Sequence, residues 1–166
     1  MKNLFALLVS IMISSCSGEI SKSTTSTNKS TTIDETDYIF QATYSQNFSM
    51  GDKTLVISFQ RLLKNLQEGK LDNLSNYFTE DVVWNLPDGE RLEGKDNVIK
   101  FIVDFWTSSK VENYSSAVHF AVKTNKGDEW VLVWDSQLVN NELVRYQEAV
   151  RYEGDKIAFI NTFTKK

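Results

Sequence analysis

Residues 55–106 read LVISFQRLLKNLQEGKLDNLSNYFTEDVVWNLPDGERLEGKDNVIKFIVDFW, and their pattern decides the fold of the chain. Apolar side chains recur through the first part at three- and four-residue steps, which is the spacing of one helix face. These side chains are Leu55, Phe59, Leu62, Leu63 and Leu66. Asp52 before them is a suitable N-cap and Gly69 after them is a stop signal, so we predict a helix between these two residues.

The pattern changes after Gly69. Residues 71–78 have the spacing of one short amphipathic helix. The side chains of residues 81–86 alternate between two faces, so these residues are predicted to form a strand. The strand ends at the Pro-Asp-Gly sequence of residues 87–89. Helical spacing returns over residues 98–106, so the predicted order is helix, short helix, strand and helix.

The second half of the chain is predicted to be a meander of four strands. Residues 114–124, 130–139, 143–153 and 156–163 alternate and are rich in Val, Trp, Tyr and Phe. The joints between them are short and carry Asn, Gly and Asp, so consecutive strands should pair antiparallel. Helices followed by a curved antiparallel sheet make an α+β fold.

The alternation also assigns two faces to this sheet. One face collects the large and aromatic side chains, so we expect the helices to cover it; it holds Val118, Phe120, Val122, Trp130, Leu132, Trp134, Leu138, Val144, Tyr146, Val150, Tyr152, Ile157, Phe159 and Phe163. The other face mixes smaller apolar side chains with polar ones such as His119 and Asp135. We expect this second face to form a homodimer interface through Ala117, Ala121, Val131, Val133 and Ala149.

A family resemblance is carried by residues 60–89, QRLLKNLQEGKLDNLSNYFTEDVVWNLPDG. The segment resembles the nuclear transport factor 2-like superfamily, which includes the SnoaL-like polyketide cyclases and the ketosteroid isomerases. What matches is a helix, an x-G-x-L-D-x-L turn, F-x-x-D-V, a strand ending in P-x-G, and a glycine that opens the next helix. The resemblance covers about residues 51–166, and it implies a curved antiparallel sheet wrapped around N-terminal helices, forming a cone with an internal pocket.

The resemblance also allows a comparison of pocket residues. In ketosteroid isomerases an Asp acts as the base, while a Tyr and a second Asp hold the enolate oxygen. The tyrosine position falls on Leu62 and the base position on Leu86, and neither leucine can move a proton or donate a hydrogen bond. Steroid-isomerase chemistry is therefore not carried over. The third position falls on Glu148, with a one-residue gap in the turn at residues 154–155.

Glu148 is the candidate acid or base, because its strand phase matches that of Tyr146 and Val150 on the aromatic face. Burial there would raise the pKa of its carboxyl group. Two interpretations remain open: a group that meets a ligand, or a structural carboxylate held by a buried partner. The predicted pocket-lining residues are Leu62, Trp84, Leu86, Phe101, Trp134, Tyr146 and Asn161. His119, the single histidine, is predicted to point away from the pocket.

The beginning of the chain has the features of a bacterial secretion signal. Residues 1–15 contain Lys2 and a largely apolar run over residues 4–13, too short to span a membrane. The sequence Ile-Ser-Ser-Cys that ends at Cys16 resembles a lipobox, which implies lipidation of Cys16 and attachment to a membrane of the bacterial cell envelope. Residues 16–37 are a Ser- and Thr-rich tether, and residues 38–50 an aromatic lead-in to the domain at 51–166.

Composition narrows the possible functions. The 166-residue chain has a formal charge of −4 and no basic cluster, which argues against a nucleic-acid partner. One histidine and one cysteine give no ligand set for a transition metal, and we predict no metal and no cofactor. One hypothesis is an envelope lipoprotein whose apolar pocket binds a small hydrophobic or aromatic molecule without catalysis, or is filled by packing. The alternative is a SnoaL-like isomerase, cyclase or dehydratase that uses Glu148. A third possibility is a purely structural module that works through its outer sheet face.

Overall fold

The computed structural model describes Ile39 and residues 47–165. In chain order the elements are β1 (Phe48–Met50), α1 (Lys53–Gln67), a 3-10 helix (Leu74–Tyr77), β2 (Phe78–Asn85), β3 (Arg91–Glu93), α2 (Lys95–Ser108), β4 (Val111–Thr124), β5 (Glu129–Val139), β6 (Glu142–Glu153) and β7 (Lys156–Lys165). The predicted signal peptide, Cys16 and the tether lie outside the described residues.

The seven strands form one sheet in the order β1-β4-β5-β6-β7-β2-β3, against which α1 and α2 pack. The predicted α+β fold is confirmed. Neighbouring strands pair antiparallel with one exception, since β2 and β7 run parallel. The antiparallel pairing predicted for consecutive strands of the second half is confirmed in β4 to β7. β2 and β7 are far apart in sequence, so no hairpin fixes their relative direction.

The predicted first helix is confirmed as α1. The Asp52 carboxylate accepts a hydrogen bond from the Thr54 backbone N–H at 2.8 Å, which satisfies one of the free donors at the helix start. Gly69 follows the helix with φ +68°, a conformation that favours glycine. The apolar stripe is buried, with Leu55, Phe59, Leu62 and Leu66 at 3–6 % exposure.

Two local predictions need correction. Within residues 71–78 only the turn Leu74–Tyr77 is helical, and Phe78 already begins β2. The short strands β1 and β3 were not predicted, because three residues are too few to show a two-residue alternation.

The side chains of β5 that were predicted to face the helices lie on the opposite face of the sheet. The turn between β5 and β6 explains this, because it sets the register of the two strands. Asn140 and Asn141 form a two-residue connection with φ +52° and +68°, which pairs Val139 with Glu142. Odd-numbered residues of β5 therefore share a face with even-numbered residues of β6. The inner face of the sheet, meaning the face under the helices, includes Val131, Val133, Asp135, Val144, Tyr146, Glu148, Val150 and Tyr152.

β-Bulges change the phase of β4 and β7. The pairing of β4 shifts between Glu112 and Ser115 and again between Ser116 and Val118. Beyond the second shift His119 and Ala121 lie on the inner face, whereas Val118 and Phe120, expected inside because of their size, lie on the outer face. The pairing shifts again at Ala158, which brings Ile160 and Thr162 inward and leaves Phe159, Asn161 and Phe163 on the outer face. The predicted dimer surface was wrong in composition, since Ala121, Val131 and Val133 are buried at 0–2 % exposure.

Candidate functional site

A cavity of about 440 Å³ lies between the inner face of the sheet and the two helices. Its apolar walls come from Phe59, Leu62, Leu63 and Leu66 of α1, from Phe101, Ile102, Phe105 and Trp106 of α2, and from Phe78, Trp84, Leu86 and Pro87 of β2 and the turn after it. This volume lies within the range of about 300–1,000 Å³ that is usual for small-molecule sites.

Polar side chains from four adjacent strands meet on the sheet side of this cavity. Asp135 lies opposite Tyr146, and Glu148 lies opposite Thr162, so their side chains share the inner face. We call the set the polar cluster: Tyr114, Asp135, Gln137, Tyr146, Glu148 and Thr162. The cavity thus combines apolar walls on the helix side with hydrogen-bonding groups on the sheet side.

Glu148 is held within this cluster by one short hydrogen-bond chain. The Trp84 indole N–H donates to the Thr162 hydroxyl at 2.9 Å, and that hydroxyl donates to Glu148 Oε1 at 3.1 Å. Burial, followed by the nearby Asp135 charge, raises the pKa of Glu148 to about 8, against the opposing effect of the Thr162 hydrogen bond. Glu148 is therefore mostly protonated at pH 7 and can donate as well as accept a hydrogen bond.

Asp135 is the second carboxyl group of the cavity. Asp135 is 8 % exposed, and its Oδ1 has no hydrogen-bond partner among the described residues. Burial raises the pKa of Asp135, and the net value is about 6 even though a hydrogen bond from Tyr114 acts in the opposite direction. Since this value is below that of Glu148, Asp135 carries most of the negative charge of the pair at pH 7.

A hydrogen-bond chain connects the polar cluster to α1. The Tyr114 hydroxyl lies 3.0 Å from His119 Nε2, and His119 Nδ1 lies 2.7 Å from the amide nitrogen of exposed Gln60. If the Gln60 amide donates to Nδ1, the neutral imidazole carries its proton on Nε2 and donates it to Tyr114. Burial lowers the pKa of His119, which favours this neutral form. The prediction that His119 points away from the pocket side was wrong because Val118 and Phe120, on the opposite face of β4, were expected inside.

The predicted pocket residues divide into two groups. The cavity wall contains Leu62, Trp84, Leu86, Phe101, Tyr146 and Glu148. The prediction was wrong for Trp134, which is 42 % exposed on the outer face, and for Asn161, which pairs with Ala149 on that same face. Both errors follow from strand phase: the hairpin register misplaces Trp134, and the bulge at Ala158 misplaces Asn161.

Several residues of the site were missed from sequence. Asp135, Gln137 and Thr162 were placed on the wrong face or not considered. A signal for Asp135 was available in the Asn140-Asn141 turn, because a two-residue hairpin sets Asp135 opposite Tyr146. No comparable sequence signal marks the bulge that brings Thr162 next to Glu148.

The described residues contain neither a metal cluster nor a membrane-spanning helix. No group of three or more His, Cys, Asp or Glu side chains within residues 47–165 has a geometry that could hold a metal ion. No helix in the same part of the chain is long and apolar enough to cross a membrane.

Comparison with protein families gives one match that spans most of the domain. The family model of the SnoaL-like domain matches residues 59–161. No curated protein matches the chain at a significant level.

Solved structures share the same fold at low sequence identity. A steroid delta-isomerase from Pseudomonas aeruginosa is 14 % identical with a TM-score of 0.56, over 71 % of this chain and 85 % of that one. An NTF2-like protein of unknown function from Mesorhizobium loti is 14 % identical with a TM-score of 0.58, over 71 % and 98 %. Another from Cytophaga hutchinsonii is 14 % identical with a TM-score of 0.51, over 70 % and 92 %. At these identities the likeness concerns the fold alone.

Proposed function

We propose a ligand-binding function from two premises: the chain belongs to the SnoaL-like domain family, and its cone contains a cavity with apolar walls and one polar side. The ligand is a small hydrophobic or aromatic molecule, and the protein binds it without catalysis. The cavity is the observation that carries this proposal, because a domain that served only as a structural support would gain stability by filling it.

The wall residues support binding rather than proton transfer. Leu62 and Leu86, at the positions that resemble the tyrosine and the base of ketosteroid isomerases, both line the cavity. Their side chains offer contact area and no acid–base group. The steroid delta-isomerase from Pseudomonas aeruginosa has the same fold, but its activity does not pass to this chain by fold alone.

The proposal also includes attachment of the domain to a membrane and its assembly into a dimer. Lipidation of Cys16 would anchor the chain to a membrane of the bacterial cell envelope, and residues 16–37 would separate the domain from the bilayer. A homodimer would form through the outer face. The outer-face surface that suits a dimer interface differs from the one predicted from sequence. It contains Trp134 and Phe163, which are 42 % and 58 % exposed and flank Gln147 on adjacent strands.

A cavity-filling variant tests the binding function. Leu86→Trp puts a larger side chain on the cavity wall, and Leu143→Trp makes the same kind of change at a residue that is 45 % exposed. A panel of small aromatic and alicyclic compounds is expected to raise the melting temperature of the wild type and of Leu143→Trp, but not that of Leu86→Trp. Equal shifts in all three proteins, or no shift in any, would contradict binding in the cavity.

An acid–base enzyme is the second candidate function, and the two carboxyl groups are the observation in its favour. Asp135 and Glu148 have pKa values of about 6 and about 8, so one can accept and the other donate a proton near pH 7. Exchange of the α-hydrogens of small cyclic ketones in D₂O tests this function by NMR. Catalysed exchange that is lost in Glu148→Gln would favour the enzyme, and exchange at the buffer rate would exclude this reaction.

A further inference from the structure

We propose that the ligand is an organic cation: an amine on an aromatic or alicyclic body, whose ammonium group binds the Asp135 carboxylate. This inference rests on the proposed binding function and specifies the chemical class of the ligand. It is carried by an unpartnered buried oxygen, by the charges on the cavity wall, and by the aromatic rings on its helix side.

The unpartnered oxygen is Asp135 Oδ1. It is buried, it belongs to a residue that lines the cavity, and it has no hydrogen-bond partner within the described part of the chain. A buried carboxylate oxygen without a partner is costly, so the site favours a molecule that brings a hydrogen-bond donor to it. An ammonium group is the strongest such donor, because the hydrogen bond is charge-assisted.

The charges of the cavity wall have one sign. Three acidic side chains line it, Asp135, Glu148 and Glu142, and no Lys or Arg is among the described residues that do. None of the ion pairs found within residues 47–165 includes Asp135 or Glu148. An anionic ligand would therefore meet repulsion and no compensating cation, whereas a monocation would neutralise the ionised member of the carboxyl pair.

The groups around Asp135 that line the cavity carry no positive charge, whereas Arg145 and Lys165 line a neighbouring pocket with Asp135 and do not line this cavity. β4 contributes the Tyr114 hydroxyl, and β6 contributes Tyr146 and Glu148. β7 contributes the hydroxyls Thr162 and Thr164, and α1 and α2 contribute only apolar side chains and the Trp106 indole to the cavity. His119 reaches the cluster through Tyr114, and burial keeps it neutral.

The helix side of the cavity suits a cation with an apolar body. The rings of Trp84 and Phe101 meet edge to face at 5.4 Å, Phe101 and Phe105 stack at 6.2 Å, and Phe105 and Trp106 meet at 5.1 Å. These four connected rings all line the cavity. Aromatic faces attract a desolvated ammonium group and also pack against a flat apolar body, so both parts of an aromatic amine find a complementary surface.

Three probes of nearly equal size and shape separate the ligand classes: tryptamine, which is a cation at pH 7.5, tryptophol, which is neutral, and indole-3-acetate, which is an anion. Binding is measured by isothermal titration calorimetry with the full-length protein. At pH 7.5 we expect tryptamine to bind about 10- to 100-fold more tightly than tryptophol, and indole-3-acetate to bind more weakly than either.

A substitution and a change of pH test whether the preference for tryptamine depends on the Asp135 carboxylate. Asp135→Asn should bind tryptophol as the wild type does and lose the preference for tryptamine, whereas Asp155→Asn, the same change at an exposed residue that does not line the cavity, should keep it. In the wild type the preference should shrink from pH 7.5 to pH 5, because Asp135 has a pKa of about 6 and becomes protonated. This pH series tests the inference even if Asp135→Asn does not fold.

The outcomes distinguish the two proposals. Tryptophol binding as tightly as tryptamine, or a preference that survives in Asp135→Asn and at pH 5, overturns the cation inference and leaves ligand binding in place. Failure of all three probes to bind overturns both proposals.

Discussion

Glu148→Gln is expected to raise the free energy of unfolding at pH 8 and to leave it nearly unchanged at pH 5. Burial and the Asp135 charge raise the pKa of Glu148 from 4.5 to about 8 in the folded protein. Between these two pH values the folded protein holds a proton that the unfolded chain has released. The stabilising contribution of protonated Glu148 is thus complete below pH 4.5 and is lost as the pH rises through 8.

The size of the effect follows from this difference in pKa. At about 1.4 kcal/mol per pKa unit, the wild type should lose at most about 5 kcal/mol between pH 4.5 and pH 8 through this one group. A glutamine side chain has no proton to lose and is spared that loss. Its amide oxygen can still accept the hydrogen bond from Thr162, so the cost at pH 5 should stay within about 1 kcal/mol.

Urea unfolding at pH 5 and at pH 8, followed by tryptophan fluorescence, measures the difference. Glu142→Gln is the matched control, because it removes a carboxylate from an exposed residue of the same strand. We expect Glu148→Gln to exceed the wild type by about 2–5 kcal/mol at pH 8, and the control to follow the wild type. A loss of stability in Glu148→Gln at both pH values would refute the reasoning and assign Glu148 a structural role.

Three further predictions concern anchoring, association and packing. Cys16→Ser should abolish incorporation of a fatty-acid analogue and release the protein from the membrane fraction, and equal labelling of both proteins would contradict lipidation. The protein should sediment as a dimer that Trp134→Arg converts to monomer, and a wild type that is monomeric at about 100 μM would count against the outer-face interface. Leu55→Ala at 6 % exposure should cost about 2–5 kcal/mol in urea unfolding, whereas Ile57→Ala on the same helix at 47 % exposure should cost less than about 1 kcal/mol.

The helices could be predicted because their signals are local. The apolar stripe of α1 repeats over four turns between Asp52 and Gly69, and each of these features acts on neighbouring residues only. The order of helices and strands then limits the fold to a small number of arrangements, and the resemblance of residues 60–89 selects one of them.

The faces of the sheet could be predicted only in part, because strand phase depends on register. The assignment was correct for β6 and therefore placed Glu148 and Tyr146 on the cavity side. It failed for β5 because the large side chains, such as Trp134, were expected inside. The interior on that strand is instead lined by Val131 and Val133, since the rings and leucines of the helices already fill the space above them.

Only part of the candidate site could be predicted, again because strand phase depends on register. Glu148 was found through its strand phase, but its neighbours Asp135 and Thr162 come from strands whose phase was wrong. A single inserted residue in a bulge moves every later side chain of a strand to the other face. Sequence alternation alone cannot reveal such an insertion when both faces are partly apolar, as they are in β4 and β7.

His119 offers a direct test of the bulge at Ala117. It is the single histidine of the chain, so its ring signals in NMR spectra are unambiguous. On the inner face, burial lowers the pKa of His119 below 6.5, and its Nε2 contacts the Tyr114 hydroxyl at 3.0 Å. If alternation continued unbroken from Ser116, which pairs with Asp135, His119 would lie on the outer face, away from both Tyr114 and Gln60.

We therefore expect a titration of the His119 signals with a midpoint below pH 6.5, and a ¹⁵N shift pattern of the tautomer protonated on Nε2. Tyr114→Phe removes the hydroxyl partner and should change both, whereas Tyr77→Phe, which removes a hydroxyl that pairs with Asn65 instead, should change neither. Because the folded-state pKa is lowered, His119 contributes stability above pH 6.5 that is lost as the pH falls through its folded value. A midpoint at or above pH 6.5 that Tyr114→Phe leaves unchanged would place His119 on the outer face, and with it would remove the hydrogen-bond chain from α1 to the polar cluster.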